Sequence, residues 1–167
     1  TVEESALWSE RELTVASAGL SLPATLTVPR DKVRAGVVLV HGSGAHDRDE
    51  SIGPNRVFRD LAHGLAERGI AVLRYEKRSH AHPESFAGKA FTVKEEVIDD
   101  ALAAVELLEN QAELQQLPVF VLGHSLGALL APRIASGQPT IAGVVMLAAP
   151  ARTLTERGSP GRRRRVA

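Results

Sequence analysis

Apolar runs and segments with helical spacing alternate along most of the chain. Continuous apolar runs predict strands buried on both faces at 36–40, 70–75, 118–124 and 141–149. Apolar positions at helical spacing predict helices between them at 55–68, 92–110 and 126–136. Strands that alternate with helices are typical of an α/β fold, so we expect a mostly parallel sheet covered by helices.

An antiparallel hairpin precedes these strands. Two runs, 9–17 and 20–28, are separated only by Ala18 and Gly19, which is the pattern of a tight hairpin. Pro23 lies inside the second run and predicts an edge position or a bulge, since proline cannot donate to a strand ladder. Further along, Thr92 and Glu95 form a capping box and predict the start of the long second helix.

The apolar pattern stops after Ala151, and residues 152–167 are expected to form a disordered basic tail. They hold six arginines and one acid, a charge of +5, which leaves −5 on residues 1–151. Binding of an anion or nucleic acid through 162–165 is one hypothesis. Four arginines without interleaved aromatic residues support it weakly, so a solvated tail is favoured and no nucleic-acid partner is expected.

The composition excludes several kinds of site. The chain has 167 residues and no cysteine, which excludes disulfides, a thiol nucleophile and thiolate metal ligands. No run approaches the roughly 18 apolar residues of a membrane span, so no membrane partner is expected. The compartment is left open: cytoplasmic is the default, and a secreted or periplasmic location stays open because the first residue is Thr1.

The strongest chemical signal is Ser125, between Gly123 and Gly127. An apolar strand leads into this Gly-His-Ser-Leu-Gly segment, and an alanine-rich helix follows it. Glycines on both sides allow a sharp turn that exposes the hydroxyl at the positive end of the helix, the geometry of a serine nucleophile. A glycine-rich turn with an incidental serine is the alternative, but the strand and the helix favour the catalytic interpretation.

With these motifs the chain resembles the α/β-hydrolase superfamily, and in particular bacterial serine esterases with a His-Gly-Ser-Gly-x-x-Asp-Arg-Asp-Glu loop. The supporting segments are 41–50, 75–78, 91–101, 123–127 and 147–151. The resemblance implies that residues 1–151 are the N-terminal portion of an α/β-hydrolase domain, truncated after the sixth strand. It also implies an oxyanion hole formed by the backbone N–H groups of Ser43 and Leu126.

The resemblance further implies a small acyl ester as substrate, without metal or other cofactor; thioesterase, lactonase or peptidase activity stays open. His46, Asp47 and Asp49 superficially match a metal site, but loop salt bridges from Arg48 are the better explanation. No triad acid or base is identified, because the family places both after the nucleophile and all six histidines precede or adjoin Ser125.

We therefore expect a serine hydrolase whose activity is impaired in this chain. His124 is expected to pack rather than act as a base, and His80 and His82 are expected on a loop at the rim of the site. The alternative is a non-catalytic fragment that binds a ligand or self-associates. The sixth strand would be an unpaired apolar edge through which a homo-oligomer could form.

Overall fold

A computed structural model of the protein describes residues 3–88 and 90–149. The strands are β1 (Trp8–Ser17), β2 (Leu20–Pro29), β3 (Ala35–Val40), β4 (Ser51–Ile52), β5 (Asn55–Arg56), β6 (Ile70–Tyr75), β7 (Val119–His124) and β8 (Ile141–Leu147). The α-helices are α1 (Val57–Ala66), α2 (Arg78–Ala81), α3 (Asp99–Glu109) and α4 (Leu126–Gly137). Two 3₁₀ turns (Pro83–Phe86 and Ala112–Leu114) and a π-helical turn (Lys94–Ile98) complete them.

Six of the strands form one mixed sheet in the order β1-β2-β6-β3-β7-β8. Strands β6, β3, β7 and β8 run parallel, and the hairpin β1–β2 joins antiparallel to β6. The expected α/β fold, with an N-terminal hairpin and parallel strands, is confirmed. Because the carboxyl ends of parallel strands meet at one edge, the loops after β3 and β6 and the turn after β7 lie together there.

The two faces of the sheet are buried against different helices. Val38 and Val40 of β3 belong to the larger apolar cluster, which also contains the buried side chains of α3 and α4. The intervening Val37 and Leu39 belong to a second cluster with Phe58 of α1. This alternation is the reason that β3 is a continuous apolar run, since both of its faces are covered.

The hairpin follows the sequence prediction except at Pro23. Ala18 and Gly19 make the turn with positive φ, and the β1–β2 register is continuous from Trp8 to Ser17, without a bulge. Strand β2 is not an edge either, because it lies between β1 and β6. The proline is tolerated because pairing with β6 begins only at Ala24, and Pro23 contributes its carbonyl, which accepts a hydrogen bond from Glu76 N–H.

Several element boundaries differ from the predicted ones by one or two residues, and two of these differences have a clear structural cause. The first helix begins at Val57 rather than at 55, because Asn55 and Arg56 pair with Ser51 and Ile52 in a short ribbon around Gly53. The last strand, predicted to reach 149, ends at Leu147 because Ala148 has a φ of 52°. The predicted basic tail, 152–167, lies outside the described residues.

The capping box is present at the start of the third helical segment. Glu95 Oε2 accepts a hydrogen bond from the Thr92 N–H at 2.8 Å, and Thr92 Oγ1 accepts one from the Lys94 N–H at 3.1 Å. The helix then passes through the π-helical turn before α3. In the described ranges, none of the helices is long and apolar enough to cross a lipid bilayer.

Candidate active site

Ser125 lies in a strained turn between β7 and α4. Its backbone has φ 51° and ψ −107°, a conformation that residues with a side chain rarely adopt. The turn is fixed on both sides, since Ser125 N–H donates to Leu147 O at 2.9 Å and Ser125 O accepts from Leu129 N–H at 3.1 Å. The side chain is therefore held at the N-terminal, positive end of α4.

The two flanking glycines allow this turn because backbone segments touch there. A Cβ on Gly123 would lie 2.2 Å from the carbonyl carbon and oxygen of Gly127. A Cβ on Gly127 would lie 2.2 Å from Val40 O, on the neighbouring strand β3. Helix α4 thus packs directly on the carboxyl ends of β3 and β7, and no side chain fits between them.

The loop after β3 lies against the nucleophile turn. A Cβ on Gly42 would lie 3.4 Å from Ser125 Cβ, so the predicted oxyanion loop and Ser125 are neighbours. Among the described residues, neither Ser43 N–H nor Leu126 N–H donates a hydrogen bond to a protein acceptor. The structure therefore brings together the regions of all three predicted site residues and leaves two donors free nearby.

The loop itself is held by polar side chains. Gly42 N–H donates to Glu50 Oε1 at 2.7 Å, and His46 Nε2 lies 2.8 Å from Ser43 O. Lys77 Nζ donates to both Gly42 O and Gly44 O at 2.8 Å. Glu50 and Lys77 are themselves buried, with at most 2% of each residue exposed.

His41 supports the loop from below. Its ring lies between Phe58 and Tyr75, and Nε2 is 3.0 Å from Asp47 O. Burial, and after it the nearby Lys77 charge, lower the pKa of His41 to about 3. The imidazole is therefore neutral near pH 7, with Nε2–H as the donor to the Asp47 carbonyl.

The loop aspartates bind neighbouring protein groups. Asp47 accepts hydrogen bonds from Ser51 N–H and Oγ–H, and Asp49 pairs with buried Arg74. The explanation through Arg48 was wrong, because its guanidinium pairs instead with Glu12 and Glu76. Within residues 3–88 and 90–149, no group of three or more histidine or acidic side chains is arranged to hold a metal ion.

The histidines His124, His80 and His63 each lie next to an acidic side chain. His124 Nδ1 lies 3.0 Å from Glu50 Oε2, but the angles do not suit a hydrogen bond, and neither atom has such a partner among the described residues. His80 lies 3.4 Å from Glu76 on the loop after β6, and His63, in α1, contacts Glu10 at 3.0 Å.

His82 directly follows α2 and contacts the N-terminal hairpin. Its Nε2 is 2.9 Å from Ser21 O, on the N-terminal hairpin, and its Nδ1 is 3.2 Å from Glu84. The hydrogen bond to the Ser21 carbonyl raises the pKa of His82, and the Glu84 contact adds to this. This histidine therefore joins the loop to the hairpin.

Comparison with known families shows which family the chain belongs to. The model of the family described as serine aminopeptidase, S33, matches residues 31–164, which is most of the chain. The chain belongs to this hydrolase family. The expected membership of the α/β-hydrolase superfamily is thereby confirmed.

Proteins similar to this chain include named esterases. Esterase EstD of Thermotoga maritima is 47% identical over 150 residues, which are 89% of this chain and 34% of EstD. The chain thus spans about a third of the length of that curated relative.

Solved structures share the fold at lower identity. An esterase from Pyrococcus furiosus superposes with a TM-score of 0.63 at 22% identity, over 86% of this chain and 50% of that one. Dienelactone hydrolase from Anabaena variabilis superposes with a TM-score of 0.64 at 22% identity, over 83% and 62%.

Two residues of this candidate site were not assigned a role from sequence. Glu50 and Lys77 contact the loop that carries Ser43, yet each lies in a polar, charged segment of the sequence. The only available signal was their position inside the two family-like motifs, 41–50 and 75–78.

Proposed function

We propose that this chain supplies the nucleophile and the oxyanion-stabilising loop of a serine carboxylic-ester hydrolase. The observation that supports it most is the strained turn at Ser125, packed against Gly42 with the free N–H groups of Ser43 and Leu126 beside it. Strain that the surrounding contacts maintain is typical of functional sites, and a nucleophile needs an exposed hydroxyl beside such donors.

In the proposed reaction, Ser125 Oγ attacks the ester carbonyl carbon and passes its proton to a base. Negative charge develops on the carbonyl oxygen, and the two N–H groups stabilise it, each by about 3–4 kcal/mol in comparable enzymes. Expulsion of the alcohol leaves an acyl ester on Ser125. Water then hydrolyses this ester, which releases the acid and restores the serine.

The proposal includes weak activity for these 167 residues. The superfamily order places the triad acid and histidine after the nucleophile. Here all six histidines precede Ser125, and Glu156 is the single carboxylate side chain after it. Without a complete triad, an oxyanion hole and substrate binding retain an acceleration of about 10³–10⁴ over water.

A small acyl ester is the proposed substrate, because EstD, which shares 47% identity with this chain, is named an esterase. The family description, serine aminopeptidase, makes an amide the competing substrate. We expect the chain to hydrolyse p-nitrophenyl acetate measurably faster than alanine p-nitroanilide. The reverse preference would favour the peptidase assignment.

The nucleophile is tested with Ser125→Ala on the same ester. This variant should fall to the buffer rate, whereas Ser136→Ala, an exposed serine in α4, should keep the wild-type rate. Equal rates for wild type and Ser125→Ala would refute the catalytic proposal.

A non-catalytic, self-associating module is the second candidate. Strand β8 has a partner only on its β7 side among the described residues, and Val145, Met146 and Leu147 are between 40% and 48% exposed. An apolar edge strand of this kind can pair with another copy of the chain.

A further inference from the structure

The loop between His41 and Gly44 is clamped by charges of opposite sign. Glu50 Oε1 accepts the Gly42 N–H, and Lys77 Nζ donates to the carbonyls of Gly42 and Gly44. A third oxygen, Glu96 Oε1, lies 3.1 Å from the same ammonium. Lys77 Nζ therefore has two hydrogen bonds to the backbone that flanks Ser43 and an ion pair with Glu96.

One of those carbonyls belongs to the same peptide unit as the Ser43 N–H. The described residues contain no cis peptide bond, so Gly42 C=O and Ser43 N–H point in opposite directions within one plane. An ammonium that fixes the carbonyl therefore also fixes the direction of the N–H. It holds this N–H pointing away from Lys77.

The ammonium also changes the strength of this donor. A cation on a carbonyl oxygen draws electron density from the peptide and makes its N–H a stronger donor, and buried hydrogen bonds polarise one another in this way. Lys77 is 2% exposed, so water screens its charge little. Direction and polarity of the Ser43 N–H thus depend on one side chain from the loop after β6.

We infer that Lys77 is a positioning residue, which orients and polarises the Gly42–Ser43 peptide so that its N–H stabilises an oxyanion at Ser125. Glu50 supports the same geometry from the other side of Gly42. It adopts φ 47° and is held there by its N–H bond to Asp47 O at 3.0 Å. The inference rests on the proposed function for its catalytic consequence, but the orientation of the peptide can be measured separately.

The test compares wild type with Lys77→Met, which keeps an unbranched side chain and removes the charge. Two quantities are measured: the ¹H and ¹⁵N chemical shifts of the Ser43 amide, and the rate at which a fluorophosphonate probe labels Ser125. We expect the Ser43 amide proton to move upfield and labelling of Ser125 to slow at least about tenfold. The N–H donor stabilises charge that develops in the transition state, so a misdirected donor raises the barrier to labelling. Thermal melting shows how much of each variant is folded.

Lys94→Met is the matched control, since Lys94 is a solvent-exposed lysine paired with Asp99. It should leave the Ser43 resonance and the labelling rate unchanged. If Lys77→Met does not fold, Lys77→Gln keeps two N–H donors without the charge, and a smaller shift in the same direction is expected.

The outcomes separate the inference from the proposed function. An unchanged Ser43 resonance, or undiminished labelling of a folded Lys77 variant, overturns the positioning role. If wild type is not labelled while the Ser43 resonance still moves, the proposed function fails but the orientation of the peptide by Lys77 is supported.

Discussion

His41 shows how a single side chain constrains the loop beside Ser125. Its ring is buried between two aromatic residues, and its Nε2 holds the carbonyl of Asp47. Protonation would place a second positive charge near Lys77 in a buried region. The folded state therefore requires the neutral imidazole, and keeping His41 neutral costs free energy of folding at acid pH.

We expect this cost to appear in the pH dependence of stability. The pKa of His41 is lowered from 6.5 to about 3, so between these values the unfolded chain binds a proton that the folded chain does not. Its contribution to the free energy of unfolding is thus fully present above pH 6.5 and is lost as the pH falls toward 3. The loss is at most about 1.4 kcal/mol per pH unit.

The measurement is urea unfolding at several pH values for wild type and His41→Gln, which keeps an N–H donor but does not titrate. Groups other than His41 titrate in both proteins, so the difference isolates this residue. The variant should be less stable at pH 7 and should lose less stability between pH 6.5 and 4. Parallel curves would show that His41 is not held neutral.

At the scale of elements, the contact of β3, β7 and α4 depends on two glycines, Gly123 and Gly127, which have no side chain. Helix α4 approaches the strands so closely that its second residue, Gly127, touches the carbonyls of Val40 and His41. This contact places the start of the helix, with Leu126 N–H, beside the loop that carries Ser43. Packing of elements and geometry of the site are therefore set by the same glycine.

Gly127→Ala is expected to destabilise the protein by several kcal/mol. Its Cβ would lie 2.2 Å from Val40 O, a backbone atom that can move only with the sheet, and overpacking of a core typically costs about 1–3 kcal/mol. Thermal or urea unfolding measures the change.

The matched control is Gly64→Ala, in the interior of α1. The nearest atom to its Cβ would be Arg68 Nη1 at 3.9 Å, so the substitution should stabilise the helix by about 0.5–1 kcal/mol. Similar effects of the two substitutions would contradict the close contact at Gly127.

On the scale of the whole molecule, the described sheet has two edge strands, β1 and β8. Strand β8 carries the exposed apolar side chains Val145, Met146 and Leu147. An apolar cavity of about 200 Å³ next to β8 is lined by Phe120, Leu122 and Val145, among others. We therefore propose this region as the surface for contact with a second copy of the chain.

We expect Val145→Lys to reduce self-association, because a charge beside this cavity opposes its burial. Sedimentation velocity over a range of concentrations should show wild type forming dimers or larger species and the variant remaining monomeric. Leu7→Lys is the control, because Leu7 is 52% exposed and directly precedes β1, at the opposite edge of the sheet from β8. This variant should behave as wild type. A monomeric wild type at all concentrations would remove the self-associating candidate.

The local patterns of the sequence determined the architecture. Continuous apolar runs specified buried strands, helical spacing specified α1, α3 and α4, and two glycines around a serine specified the turn at Ser125, because each of these is a short-range steric or solvation effect. Boundaries were less certain where pairing decided them: Asn55 and Arg56 joined a ribbon with residues that precede Gly53, and Pro23 lies in a strand between two others.

The tertiary structure alone decided which charged residues serve the site. Glu50 and Lys77 are 27 positions apart and lie in polar segments of the sequence. Both are nevertheless buried against Gly42, because β3 and β6 are adjacent parallel strands whose following loops meet. Burial strengthens such contacts by excluding water. Whether a residue is buried depends on segments that are distant from it in the sequence. The sequence thus determined the turn that holds Ser125, and the arrangement of strands determined the groups that orient the peptide beside it.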